Sequence, residues 1–275
     1  MKIKKAQKIE RREKIAIAGF VVSVILFAVL MKISGFSTGT IVNMQNSLFK
    51  SALVQGSPIQ AFNAAVTSVF TVLLAIVMLV LGFSFLSSYG YYKSNYKIGL
   101  ISSVSVVFIL FVMNASVASI FLSIAIIISA AYIIPLSNTY GKELKRWIHF
   151  RVGSNSVSKI LMITNILVAL GIFFSVASGL ESYQSSFKEE ITEMTMGMIS
   201  VPIESGDVAT KEMIKDKISD FVENFPMMKT YMQWLPAIVA FEVWVALEFL
   251  RAFIFSNIAG LFSYVLIRLQ KNKNQ

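Results

Sequence analysis

The chain has no cysteine and only one histidine among its 275 residues. Disulfides, thiolate metal sites, iron–sulfur clusters and cysteine nucleophiles are thereby excluded. The single histidine, His149, lies in "GKELKRWIHFR" beside Lys142, Lys145, Arg146 and Arg151. Four neighbouring cations make it a poor general base, and it has no second ligand for a metal. Charge is also scarce, at 15% of residues, against about 25% in soluble proteins. Inside the long apolar runs the only acids are Glu242 and Glu248. That excludes an intramembrane aspartate pair and argues against the carboxylate cage of a di-iron bundle. The sequence has no HExxH, no GxSxG, no phosphate-binding GxxxxGK[ST] and no GxGxxG. A non-enzymatic protein without metal or cofactor is the expectation.

What remains is apolar: 56% hydrophobic residues and a mean hydropathy of +0.70. The fold class expected is an all-α integral membrane protein. A spanning helix needs about 20 apolar residues. Residues 15–31 form the first such run, behind a leader holding Lys2, Lys4, Lys5, Lys8, Arg11, Arg12 and Lys14. No small-x-small site follows, so this reads as a retained signal-anchor. Residues 61–86 form the second. The uncharged stretch 98–136 would make a helix about 58 Å long, so a hairpin turning at 113–117 is expected, giving spans three and four. Span five is 160–180, and span six lies within 235–268.

Six spans with both termini on one side place 17 of the 25 Lys and Arg on that side and seven on the other, with Arg251 the remaining one. Every loop then obeys the positive-inside rule, which puts the termini in the cytoplasm of a multi-pass cell-membrane protein. It also reads the net charge of +10 as topogenic and attracted to anionic lipid, rather than as a nucleic-acid surface. Three regions follow: a five-span part over 1–180, an acidic extracytoplasmic part over 181–233, and a last span with basic tail over 234–275.

Residues 181–233 hold ten of the 15 acidic residues. Ser186 and Glu189 have the spacing of a capping box. A second helix from about Thr210 carries Ile214, Ile218, Phe221, Val222 and Phe225 at helical spacing on one face, and Pro226 ends it. A helical hairpin is expected, too small to bury a core alone, so its apolar stripe is a candidate docking face for a protein partner or a second copy. The other long outer loop, 32–60, has Ile41, Met44, Leu48 and Ala52 on one face, the pattern of an interfacial amphipathic helix.

Two further features carry alternative chemistry. Met194, Met196 and Met198 are soft thioethers suited to Cu(I), provided the backbone there is not helical, because i and i+2 residues do not share a helix face. The second is "FEVWVALEFLRAF", which places Glu242, Glu248 and Arg251 in an apolar run, and charge there marks a candidate functional site. On a continuous helical wheel Glu248 and Arg251 are neighbours. Glu242 instead heads a stripe with Ser256, Asn257, Gly260 and Ser263. If Arg268 marks the inner boundary, the outer one falls near residue 248, with the ion pair at the rim. The leading expectation is a structural or accessory subunit of a membrane complex. The alternatives are a small-solute or ion transporter or channel using Glu242, Glu248, Arg251 and Asn257, and copper handling.

Overall fold

The computed structural model describes residues 2–54, 59–198 and 208–272. It is all-helical, with 92% of residues in helix and no strand. In chain order the helices are α1 Lys2–Ile33, α2 Thr38–Val54, α3 Ile59–Gly90, α4 Tyr96–Ser102, α5 Val106–Val112, α6 Val117–Glu143, α7 Ile148–Ser178, α8 Leu180–Met198, α9 Val208–Asn224, α10 Pro226–Leu250 and α11 Ser256–Asn272. A 3-10 turn, Ser103–Ser105, joins α4 to α5, and a π turn, Arg251–Phe255, joins α10 to α11.

Four stretches are long and apolar enough to cross a membrane: Arg11–Ile33, Ser68–Gly90, Val117–Glu143 and Ile148–Ser178. The six spans expected from sequence are therefore seen in part. The third becomes the shorter apolar stretch Tyr96–Val112, broken by the 3-10 turn. The sixth is divided by the π turn. The expected turn at 113–117 forms where Asn114 and Ala115 take left-handed φ of 54° and 46°. Ser116 then caps α6, accepting from the Ser119 N–H at 3.3 Å.

The chain divides into two compact units. The first comprises Met1–Phe36, Val66–Gly171 and Phe241–Gln275. Its core runs through Phe20 and Val24 of α1, Phe83 and Leu86 of α3, Ile109 of α5, Ile126 and Ile133 of α6, and Ile160 of α7. Between helices, small and hydroxyl side chains take over from bulk. Ser137 donates to Ser87 Oγ at 2.9 Å, and Ser87 pairs with Ser156 at 2.9 Å. One serine cluster thus ties α3, α6 and α7. Ser129 and Thr164 pair at 3.0 Å between α6 and α7. Close approach is what polar gluing of apolar helices needs, and the glycines supply it. A Cβ on Gly99 of α4 would collide with the Ala130 carbonyl of α6, and one on Gly153 of α7 with Ser263 of α11.

The second unit comprises Ser37–Ala65 and Ile172–Ala240. The expected helix in loop 32–60 is present as α2, but its buried face is Val42 and Asn46, not Ile41, Met44 and Leu48. The reason is a protein partner: Tyr231 of α10 donates to Asn46 Oδ1 at 3.0 Å and stacks on Phe49 at 4.0 Å. Phe187 of α8 closes the cluster, 5.7 Å from Tyr231. The capping box at Ser186 does not form as expected, because α8 already begins at Leu180, one residue after α7 ends. Pro226 opens α10, the helix position where a missing N–H costs nothing. Pro236, expected in a first turn, lies inside that helix. The segment 199–207 lies outside the described residues.

Candidate functional site

The charges of the last apolar stretch meet α7. Glu248 takes both the Arg251 Nε at 2.8 Å and the Arg251 Nη2 at 2.6 Å, a forked pair. Its other oxygen accepts from Asn165 Nδ2 at 2.8 Å. The remaining arm of Arg251 donates from Nη1 to Ser158 Oγ at 2.6 Å. Four side chains thus form one chain, Asn165–Glu248–Arg251–Ser158, within the first unit. The charged pair is mostly enclosed, with side-chain exposures of 22% for Arg251 and 18% for Glu248.

The backbone under this network is not a plain helix. Residues Arg251–Phe255 form a π turn, and the Ser256 hydroxyl donates to the Arg251 carbonyl at 2.5 Å. Single π turns inside α-helices recur at functional positions. Here the turn explains why the continuous wheel misplaces residues downstream. A π turn delays rotation by about one residue, on the order of 100°. Ser256, Ala259, Ser263 and Ile267 are buried, whereas Glu242 and Asn257 are exposed. Glu242 therefore does not head the stripe that packs. Asn257 turns its amide onto its own helix, donating to the Phe253 carbonyl at 3.0 Å.

Contacts along α7 fix the level of the network. At one end His149 lies edge-on to Tyr91, with centroids 5.3 Å apart, just beyond α3. At the other, Gly171 lies against Ala118 and Phe121 at the start of α6. Ser158 and Asn165 fall between these levels. Two boundaries expected from sequence are therefore incompatible. Span five cannot begin at residue 160 on the inner side while residue 248 marks the outer rim, because Arg251 touches Ser158 and Glu248 touches Asn165. The last helix runs antiparallel to α7, since Gly260 lies against Phe150 and Gly153 against Ser263.

The other expected residues sit in the second unit. Ile214 and Ile218 of α9 are half-buried, while Phe221 is 66% exposed, Met213 60% and Phe225 36%. The Phe221 and Phe225 rings lie 5.5 Å apart. The side chain of Val222 lies outside the described residues. Met194, Met196 and Met198 all lie on α8, so a helical backbone keeps adjacent members of that triplet off one face. Among the described residues no group of three His, Asp or Glu could hold a metal ion.

Sequence reasoning missed a second cluster, at the α1 and α11 ends of the first unit. Glu13 accepts from Tyr89 at 2.8 Å and from Lys93 at 3.1 Å. Arg12 stacks over Tyr92, 3.7 Å from the ring centroid. Tyr92 donates to the Ile267 carbonyl at 3.2 Å. Burial raises the Tyr92 phenol above its ordinary pKa, against the opposing pull of Arg12. The signal was the "YGYYK" run after α3 (89–93), which reads equally well as an interfacial aromatic belt.

No family model matches the chain, and no curated protein and no solved structure matches it.

Proposed function

We propose that the protein is a non-enzymatic, multi-pass membrane subunit that docks a protein partner through α8 and α9 on the extracytoplasmic side. The observation that carries this reading is the exposed apolar face of α9. Phe221, Met213 and Phe225 stay open in a segment otherwise rich in acids and lysines. Exposed apolar patches rimmed by polar residues mark interaction sites, and α8 buries its own Phe187 and Ile191 without covering Phe221.

The basic ends of the first unit fit the cytoplasmic side by the positive-inside rule. The Asn165–Glu248–Arg251–Ser158 network then falls deep in the bilayer and acts as an internal brace. A charge at that depth is tolerated when it is paired and faces another helix.

The test is a photo-crosslinking amino acid at position 221 of the full chain in native membranes, with one at buried position 191 as control. A protein adduct at 221 and none at 191 supports docking. Adducts only to lipid, together with a monodisperse monomer in nanodiscs, reject it.

A second reading, an ion or proton path, is favoured by the π turn under a charged pair. It predicts that Glu248→Gln abolishes a pH-driven flux in proteoliposomes. Flux of wild-type protein no greater than that of empty vesicles rejects it.

A further inference from the structure

At the basic end of the first unit, four aromatic rings form a continuous frame. Tyr92 meets Tyr91 edge-on at 5.0 Å, Tyr91 meets His149 at 5.3 Å, and His149 lies 6.4 Å from Tyr264. The frame closes through α11, because Tyr92 bonds the Ile267 carbonyl and the next residue, Arg268, donates to the Tyr264 hydroxyl at 2.9 Å.

Cations are mounted on this frame. Arg12 stacks on Tyr92, Arg268 lies beside Tyr264, and Lys271 is within electrostatic reach of His149. The cluster contains one acid, Glu13, and that carboxylate is taken by Lys93 and Tyr89. Among the described residues none of Arg12, Arg268 and Lys271 has a carboxylate within salt-bridge distance.

Stacking and a single phenol bond orient a guanidinium but leave most of its five donors free. Two such forks and an ammonium on one aromatic frame suit the tetrahedral oxygens of a phosphate. The frame also sits at the end of the apolar helices, where Tyr belongs at headgroup level.

We propose that this collar of Arg12, Arg268 and Lys271 on Tyr92 and Tyr264 is a binding site for the phosphate headgroup of an anionic phospholipid. Basic pockets between membrane helices hold such headgroups, and the acyl chains would lie along the exposed Leu261, Val265 and Leu269 of α11. The inference rests on the bilayer part of the reading above and not on docking through α9.

The test uses the full chain purified in mild detergent and offered equimolar phosphatidylglycerol and phosphatidylcholine of the same acyl chains, read by native mass spectrometry. Wild-type protein is expected to retain phosphatidylglycerol by about tenfold or more over phosphatidylcholine. The Arg12→Gln/Arg268→Gln variant should lose most of that preference. Lys142→Gln/Arg146→Gln, with the same change of charge outside the collar, should keep it. Lys271→Gln, on the exposed last turn, provides a milder variant expected to lower the preference several-fold should the double variant fail to fold.

Equal retention of both lipids by the wild type overturns the proposal, as does equal loss in the Lys142/Arg146 control. Displacement of bound phosphatidylglycerol by 10 mM inorganic phosphate would assign the collar to free phosphate instead and overturn the lipid assignment. The crosslinking result at 221 bears on none of these readouts, so the two readings fail separately.

Discussion

Arg251 of the last long helix and Ser158 of α7 are joined by a 2.6 Å hydrogen bond, and the same guanidinium holds Glu248 in a fork. Removing one charge of an enclosed pair strands the other, whereas removing both leaves nothing unpaired. Glu248→Gln or Arg251→Gln alone should therefore destabilise the protein by about 1–3 kcal/mol. The double variant should be no worse than the milder single. Unfolding in mixed micelles measures all three, and strictly additive losses would show that the pair is not coupled.

Asn165 belongs to the same network through its bond to Glu248. Hydrogen bonds between membrane helices are worth on the order of 0.6 kcal/mol, at most about 1.7. Asn165→Leu should lose roughly that amount in the wild type and nothing in a Glu248→Gln background. A full double-mutant cycle reads the coupling directly.

Gly99 and Gly39 should respond to alanine with opposite signs. A Cβ at Gly99 strikes the Ala130 carbonyl, a backbone atom that cannot swing aside, while one at Gly39 in α2 meets only ordinary contacts, the nearest at 3.7 Å. Gly99→Ala is expected to cost about 1–3 kcal/mol through overpacking, and Gly39→Ala to gain up to about 1 kcal/mol of helix propensity. Thermal melts of both proteins in one detergent decide it.

Because the chain has no native cysteine, single cysteines report topology without background. Asp216→Cys and Lys145→Cys are expected to label with a membrane-impermeant maleimide from opposite sides of sealed vesicles. Labelling from the same side would overturn the proposed threading.

Much of the architecture was legible in the sequence because apolar run length and Lys/Arg placement are local signals. The turn at Asn114–Ala115 could be found because 98–136 is too long for one span. The depth of the charged stretch could not be found in the same way. A wheel presumes 3.6 residues per turn, and nothing in "RAFIF" (251–255) announces a π turn. The level of Glu248 is set by Asn165, 83 residues away, through helix packing that no single segment encodes. α2 shows the same limit: its periodicity predicted the helix, but the partner Tyr231 chose which face is buried. Asn165 was visible as a polar residue in an apolar run, yet its carboxylate partner lay on another helix.

The π turn also makes the length of this stretch critical in a way that composition does not. Deleting one residue from 251–255 would restore an ordinary helix and swing everything after it by about 100°. Ser263 and Gly260 would leave Gly153 and Phe150, and the exposed Leu261–Val265–Leu269 row would turn elsewhere. A substitution scan of these five positions would look permissive while a one-residue deletion proved disabling. The segment behaves as a spacer whose information lies in its count of residues, in the manner of a reading frame.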